Sequence, residues 1–123
     1  MQSDGGMSAV TIINNTTYGN SASNPYWFGV SLNSDIATEV VIRNNIAYGN
    51  VSGAANQQIQ SGTSENDHNL TADPLFVDVD AGNLHVQPYS PAIDAGSPEG
   101  APALDFDGVA RSKTAPTIGA YEK

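Results

Sequence analysis

The sequence has no cysteine, few basic residues and no long apolar run, and each absence removes a class of function. Without cysteine there is no disulfide framework, no thiolate metal site and no cysteine nucleophile. Four Lys and Arg against thirteen Asp and Glu give a net charge of −9, which disfavours a nucleic-acid partner. No apolar run approaches the roughly 20 residues of a membrane span. Residues 1–6 lack the basic and apolar parts of a signal peptide, so none is predicted within this chain.

Small and turn-forming residues dominate what is present. The 123 residues include twelve Asn, twelve Ser, twelve Gly, eight Thr and seven Pro. Such a composition can signal disorder, but short runs of Val, Ile and Thr and the five Tyr, three Phe and one Trp argue against it. The length fits one domain.

An internal repeat has a period of thirty residues. Residues 10–20 read VTIINNTTYGN and residues 40–50 read VVIRNNIAYGN, with seven of the eleven positions identical. Each copy predicts a short β-branched strand, a corner at the Asn pair, a second short strand and a turn at Tyr-Gly-Asn. No helical periodicity is found. Stacked copies would place Asn14 over Asn44 and Tyr18 over Tyr48 as ladders.

Outside the repeat, the sequence predicts further strands, a loop and a tight turn. Residues 29–32 alternate in polarity and predict a strand, whereas polar residues 61–68 predict a loop. Residues 75–77 and 84–86 predict two further strands around a tight turn at residues 80–83, with His85 on the surface.

Several runs in the second half resemble a known family. ADPLFVD at residues 72–78, NLHVQPYSPAIDAGS at 83–97, DFDGVAR at 105–111 and IGAYE at 118–122 look like the C-terminal end of right-handed parallel β-helix proteins. These pectate-lyase-like proteins include secreted bacterial polysaccharide lyases and glycosidases. The Asn-Asn and Tyr-Gly-Asn repeats fit the same family, so the resemblance covers residues 10–122.

The resemblance implies an all-β fold, a right-handed parallel β-helix of three to four coils. One domain would span residues 1–123, with stacked coils at 8–88 and a C-terminal cap with a closing strand at 89–123. Whole family members have more coils, so we expect a C-terminal fragment of an extracellular or periplasmic parent. The opened first coil would expose apolar surface and strand edges, which predicts a homo-oligomer through that coil.

Candidate catalytic residues follow from the chemistry of the family. Its lyases abstract a proton with Lys or Arg, and its hydrolases use paired carboxylates about 5–10 Å apart. Arg43 replaces Ile13 of the first copy and is expected to point outward, near Asp35 and Glu39. The competing interpretation is a solvated strand residue paired with Glu39 or Asp35.

Two further sites are predicted. Tyr26, Trp27 and Phe28 are adjacent aromatics that cannot all face a core, so at least one is expected to be exposed and to stack on sugar rings. The alternatives are a staple over the side of the coil and a contact in the dimer. Calcium prefers clustered oxygen ligands, and the candidates are Asp78, Asp80, Asp105 and Asp107. The competing interpretation makes these aspartates turn formers, with Arg111 folded back on a carboxylate.

The function expected from the sequence is association with polysaccharide, by a chain that does not catalyse on its own. An active polysaccharide lyase or glycoside hydrolase is one alternative. A structural or adhesin-like solenoid without a ligand is the other.

Overall fold

The structure is a computed structural model, and it describes residues 9–20, 30–32, 39–50, 59–61 and 65–123. Short strands, and no helices, are found in these ranges. The nine strands are β1 (Ala9–Ile13), β2 (Thr16–Tyr18), β3 (Val30–Leu32), β4 (Glu39–Arg43), β5 (Ile46–Tyr48), β6 (Ile59–Ser61), β7 (Glu65–Asp67), β8 (Phe76–Asp78) and β9 (Asn83–Val86). β3 confirms the strand predicted at residues 29–32. β7 shows that the loop predicted at residues 61–68 is wrong.

The thirty-residue repeat sets the register of two of the parallel strand pairs. β1 pairs with β4 in parallel from Ala9 opposite Glu39 to Ile13 opposite Arg43, an offset of thirty residues. β2 and β5 pair at the same offset. β7 adds to the other edge of β4 at an offset of twenty-four residues, from Val41 opposite Glu65, and β3 pairs with β6. The repeat therefore predicts the partner and register of β1 and β2 correctly.

The corners between these strands carry a ladder of three asparagines. The Asn45 Oδ1 atom accepts hydrogen bonds from the backbone N–H and the side-chain amide of Asn15, at 2.9 and 3.0 Å. Asn69 Oδ1 accepts the same pair of bonds from Asn45, at 3.0 and 3.1 Å. In the neighbouring position Asn44 donates to Asn14 Oδ1, and both residues have a positive φ, which asparagine tolerates. The predicted ladder of asparagines is confirmed.

The core lies between the parallel strands and the chain that follows them. Its buried side chains are Ile46, Phe76, Val86, Ala92 and Ile118. β8 and β9 form an antiparallel hairpin that brings Phe76 opposite Val86. The C-terminal segment then packs over the asparagine corners.

Contacts with the corner asparagines fix that C-terminal segment in place. Asn44 exchanges two hydrogen bonds with the backbone of Ser97, and Asn14 donates to the carbonyl oxygens of Thr117 and Gly119. At Gly119, φ is +99° and an added Cβ would lie 2.7 Å from the Ile46 side chain. Glycine is therefore required by both the conformation and the packing.

The prediction of a right-handed parallel β-helix of three to four coils is wrong for this structure. The described residues form four separate short sheets, of which three are parallel and one is antiparallel, and no sheet closes or continues as a solenoid. Parallel pairing reaches three strands in a single sheet, β1–β4–β7. Beyond it the tight turn between β8 and β9 folds the chain back on itself, and the Pro- and Gly-rich residues from 87 onward form turns and one isolated bridge.

Candidate functional site

Two of the three predicted catalytic residues, Glu39 and Arg43, lie among the described residues. Asp35 lies outside the described residues. Glu39 is exposed at the start of β4, and Arg43 ends the same strand. Four residues of strand separate their Cα atoms by about 13 Å.

Arg43 is buried, so the competing interpretation of a solvated strand residue is wrong. Its guanidinium makes a two-point contact with Asp67, from Nε to Oδ1 at 2.7 Å and from Nη2 to Oδ2 at 3.0 Å. The Nη2 atom also donates to Glu65 at 2.8 Å, and Nη1 donates to the Glu99 carbonyl oxygen at 3.3 Å. Its partners are thus Asp67, Glu65 and Glu99, not Glu39.

The charges in this cluster stabilise each other. The hydrogen bond from Arg43 lowers the pKa of Asp67 to about 2, and the bond to Asp67 raises the pKa of Arg43 above its ordinary value. His68 adds a contact of 2.8 Å to the same carboxylate. Because every guanidinium nitrogen is engaged, Arg43 fastens β4 to β7 and to residue 99 and is not available as a base.

The aspartates predicted to bind calcium have other partners. The Asp105 carboxylate accepts three hydrogen bonds, from the backbone N–H groups of Asp107, Val109 and Glu122. Burial opposes the charge on Asp105, but these donors outweigh it and lower its pKa. Asp107 instead contacts His85 Nε2 at 2.5 Å.

No calcium cluster is found in the described ranges. Asp78 accepts the N–H of Ala81 in the turn between β8 and β9, as a turn former does, and Asp80 is exposed in the same turn. Within the part of the chain that the structure describes, no three His, Asp or Glu side chains converge on a point where a metal ion could bind. Arg111 folds back on Glu122, at 3.5 Å.

The aromatic triplet Tyr26, Trp27 and Phe28 lies outside the described residues. A different aromatic group forms a cleft of about 430 Å³, the tyrosine cleft. The Tyr18 and Tyr48 rings stack with centroids 6.2 Å apart and planes 25° from parallel. Phe76 meets Tyr18 edge-on at 5.4 Å. The remaining lining residues are Asp73, Leu75, Val77, Asp78, Val79 and Gln87.

The repeat and the hairpin together position the two tyrosine rings. Tyr18 and Tyr48 end β2 and β5 and lie opposite each other in the parallel pairing, as the predicted tyrosine ladder requires. Gly49 follows with a φ of +65°, and an added Cβ would lie 3.2 Å from the Tyr18 ring. Glycine therefore lets the ring lie close against the turn. Tyr18 remains 36% exposed, so part of its ring is open to a ligand.

Polar atoms in the tyrosine cleft are available as acceptors. One carboxylate oxygen of Asp73 accepts the Leu75 N–H, and one of Asp78 accepts the Ala81 N–H. The side-chain amide of Gln87 donates a hydrogen bond to the Phe76 carbonyl oxygen. Among the described residues nothing else bonds these three side chains, so two carboxylate oxygens and one amide oxygen stay open beside the rings.

Leu75 is strained where it borders the tyrosine cleft. Its φ is +55°, a left-handed conformation that costs a non-glycine residue about 1–2 kcal/mol, and its side chain is 36% exposed. The Leu75 N–H donates to the Asp73 carboxylate, and the backbone N–H of Gln87 donates to the Leu75 carbonyl oxygen. These two hydrogen bonds hold Leu75 in this conformation. Strain of this kind clusters at ligand sites.

Sequence reasoning found the stacked tyrosines but missed the cleft. Its lining residues at 73–79 and at 87 are more than twenty residues from Tyr48, and the hairpin brings them over the rings. The available signal was a pair of aromatics repeated at strand ends beside glycine.

Comparisons with protein-family models, with curated proteins and with solved structures find no match to this chain. The resemblance to pectate-lyase-like proteins therefore stays a prediction. Among the described residues no helix long and apolar enough to cross a membrane is found.

Proposed function

We propose that this protein binds polysaccharide in the tyrosine cleft and does not catalyse a reaction there. The stacked pair Tyr18 and Tyr48, with part of the Tyr18 ring exposed beside open acceptor oxygens, is the observation that carries the proposal.

The chemistry of the cleft matches that of a sugar. The C–H face of a pyranose is apolar and packs on an aromatic ring, while its hydroxyl groups donate to carboxylate and amide oxygens. Tyr18 offers the ring, and Asp73, Asp78 and Gln87 offer the acceptors. A cleft of about 430 Å³ falls within the range of small-ligand sites.

The charge of the protein restricts the class of polysaccharide. The net charge is −9, and the two aspartates of the cleft add local negative charge. Polyuronates would set carboxylate against carboxylate in the absence of a bridging cation. We therefore favour neutral polysaccharides as the ligand. A polysaccharide ligand agrees with the extracellular or periplasmic location predicted from the sequence.

Affinity gel electrophoresis tests the proposal with cellulose derivatives, xylan, mannan and polygalacturonate as probes. We expect retardation by at least one neutral polymer and loss of that retardation in Tyr18→Ala and in Asp78→Asn. Asp78→Asn keeps the oxygen that accepts the Ala81 N–H, so the turn is preserved. Tyr89→Ala is the matched control, because Tyr89 is 91% exposed and outside the cleft.

Two outcomes would count against the proposal. Retardation by no polymer would favour a protein without a glycan ligand. Release of unsaturated uronate, followed by ultraviolet absorbance, would favour the lyase alternative instead.

A further inference from the structure

A second aromatic cleft of about 470 Å³, the Phe106 cleft, lies near the C-terminal end of the chain. Its lining includes Asn15, Thr16, Leu84, Leu104, Phe106 and Tyr121. Phe106 is 79% exposed, and leaving an apolar ring in water is costly. Leu104 and Val109 are about half exposed beside it in sequence. Exposed apolar groups of this kind mark interaction sites.

The backbone holds Phe106 in its exposed position. The carboxylate of Asp105 accepts the N–H groups of Asp107 and Val109 at 2.9 and 2.8 Å, which closes the turn around Phe106. The Phe106 N–H donates to the Ala120 carbonyl oxygen at 2.9 Å. The ring is thus presented by a turn that is bonded on both sides, so little ordering is required when a ligand binds.

The rings of Phe106 and Tyr121 line this cleft, and the His85 ring stacks on that of Tyr121. Phe106 meets Tyr121 edge-on at 5.8 Å, and His85 stacks on Tyr121 at 3.8 Å with planes 29° apart. His85 is held by Asn83 at 2.7 Å and by Asp107 at 2.5 Å. The Phe106 cleft is therefore an aromatic platform supported by polar contacts.

Two pairs of residues tie the Phe106 cleft to the tyrosine cleft. On β2, Thr16 lines the former and Tyr18 lines the latter. Residues two apart on a strand point to the same face and lie about 7 Å apart. In the hairpin, Leu84 of β9 lines the Phe106 cleft. Val86, two residues further along β9, pairs with Phe76, and Phe76 lines the tyrosine cleft. The two clefts are therefore neighbours on a shared framework.

The charges around the Phe106 cleft exclude an anionic occupant. Asp105 lines it, and Asp107 holds the adjoining His85. The one cation in its lining, Arg111, is buried and donates to the carbonyl oxygens of Thr117 and Gly119. A ligand with hydroxyl groups and no negative charge is complementary to both clefts.

We infer that the ligand is a neutral linear polysaccharide that contacts the tyrosine cleft and the Phe106 cleft at once. This inference rests on the proposed function, since it extends the same ligand across a second aromatic platform. Short oligosaccharides would then occupy the tyrosine cleft alone, and longer ones would also contact Phe106.

Isothermal titration calorimetry with pairs of short and long oligosaccharides tests the inference. The probes are cellobiose and cellohexaose, with the corresponding pairs from xylan and mannan. In the unaltered protein we expect the long member of the binding series to bind more tightly than the short one by on the order of tenfold. Phe106→Ala should abolish this gain and leave the affinity for the short member unchanged, whereas Tyr89→Ala should change neither.

The possible results separate the two proposals. If short and long members bind equally in the unaltered protein, or if Phe106→Ala keeps the full gain, the two-cleft inference is overturned and binding at the tyrosine cleft stands. If Phe106→Ala binds no oligosaccharide although its circular dichroism is unchanged, the clefts are not separate contacts and the inference is also wrong. If no oligosaccharide of any series binds the unaltered protein, both proposals fail.

Discussion

Replacing Asn45 with alanine removes four hydrogen bonds from the middle of the asparagine ladder. Asn45 is fully buried. Its oxygen accepts the backbone N–H and side-chain amide of Asn15, and its amide donates to the Ile12 carbonyl oxygen at 2.9 Å and to Asn69 Oδ1 at 3.1 Å. The alanine side chain offers none of these bonds, so polar groups above and below it lose a partner.

The expected cost follows from how far water can reach those groups. A buried donor or acceptor without a partner costs about 1–3 kcal/mol. Two groups are affected most, namely the N–H of Asn15 and the carbonyl oxygen of Ile12, because the side-chain oxygen of Asn69 keeps its bond from the Asn45 backbone N–H. Asn15 is exposed and Ile12 is half-buried, so the lower end applies and the sum is about 2 kcal/mol. This is a large part of the roughly 5–15 kcal/mol by which a domain is stable.

Urea unfolding followed by far-ultraviolet circular dichroism measures the cost, with the m-value as a check on two-state behaviour. Asn15→Ala is the matched control, because it removes the exposed end of the same ladder and leaves Asn45 Oδ1 its bond from the Asn15 backbone. We expect the control to cost less than about 1 kcal/mol. A loss for Asn45→Ala no larger than that for Asn15→Ala would refute the ladder as a source of stability.

Three further predictions concern the ion cluster, the C-terminal packing and self-association. Arg43→Met should cost about 2 kcal/mol at neutral pH, less than a fully buried pair because its partners are partly exposed. The pKa of Asp67 is about 2 in the folded protein and lies near 3.9 when unfolded, so the stability it contributes is present above pH 4 and is lost as the pH falls toward 2; urea unfolding over this range should show the difference between variant and unaltered protein shrinking. Gly119→Ala should lower the unfolding free energy by about 1–3 kcal/mol through its clash with Ile46, and by more than Gly82→Ala, where the added Cβ meets nothing. β1 has one hydrogen-bonded neighbour among the described strands, so the predicted homo-oligomer through this edge should appear in light scattering at micromolar concentration, and a stable monomer would contradict it.

The part of the fold that could be predicted from the sequence is the part that the repeat forms. Identical residues thirty positions apart predict which strands pair and which residues stack, and the pairing of Tyr18 with Tyr48 and of Asn14 with Asn44 follows directly. The prediction failed where the repeat ends. Pairing of β7 changes the offset to twenty-four, and its residues Glu65, Asn66 and Asp67 lack the β-branched character that marks β1 and β4.

Polar corners, more than apolar strands, define the third strand of the β1–β4–β7 sheet. Asn69 occupies the position of Asn45, and His68 takes the left-handed conformation of Asn44, with a φ of +53°. Arg43 and Asp67 are opposite each other in the same register, and the ion pair replaces the apolar contact that two isoleucines would make. A pattern search on hydrophobic residues misses this strand, whereas a search for the corner asparagine finds it.

The same reasoning explains why the burial of Arg43 and the tyrosine cleft were not predicted. Arg43 looked available because a basic residue on a short strand is ordinarily solvated, yet its partners Glu65 and Glu99 lie 22 and 56 residues away in the chain. The repeat predicts that Tyr18 stacks over Tyr48, but it does not indicate whether the two rings are buried or exposed. Tyr18 stays partly exposed because the hairpin brings Phe76 to the edge of its ring and leaves part of the ring uncovered. Whether a repeated aromatic is buried or presented is therefore decided by the chain that packs over the repeat, and a search for ligand sites in such proteins should begin from that later segment.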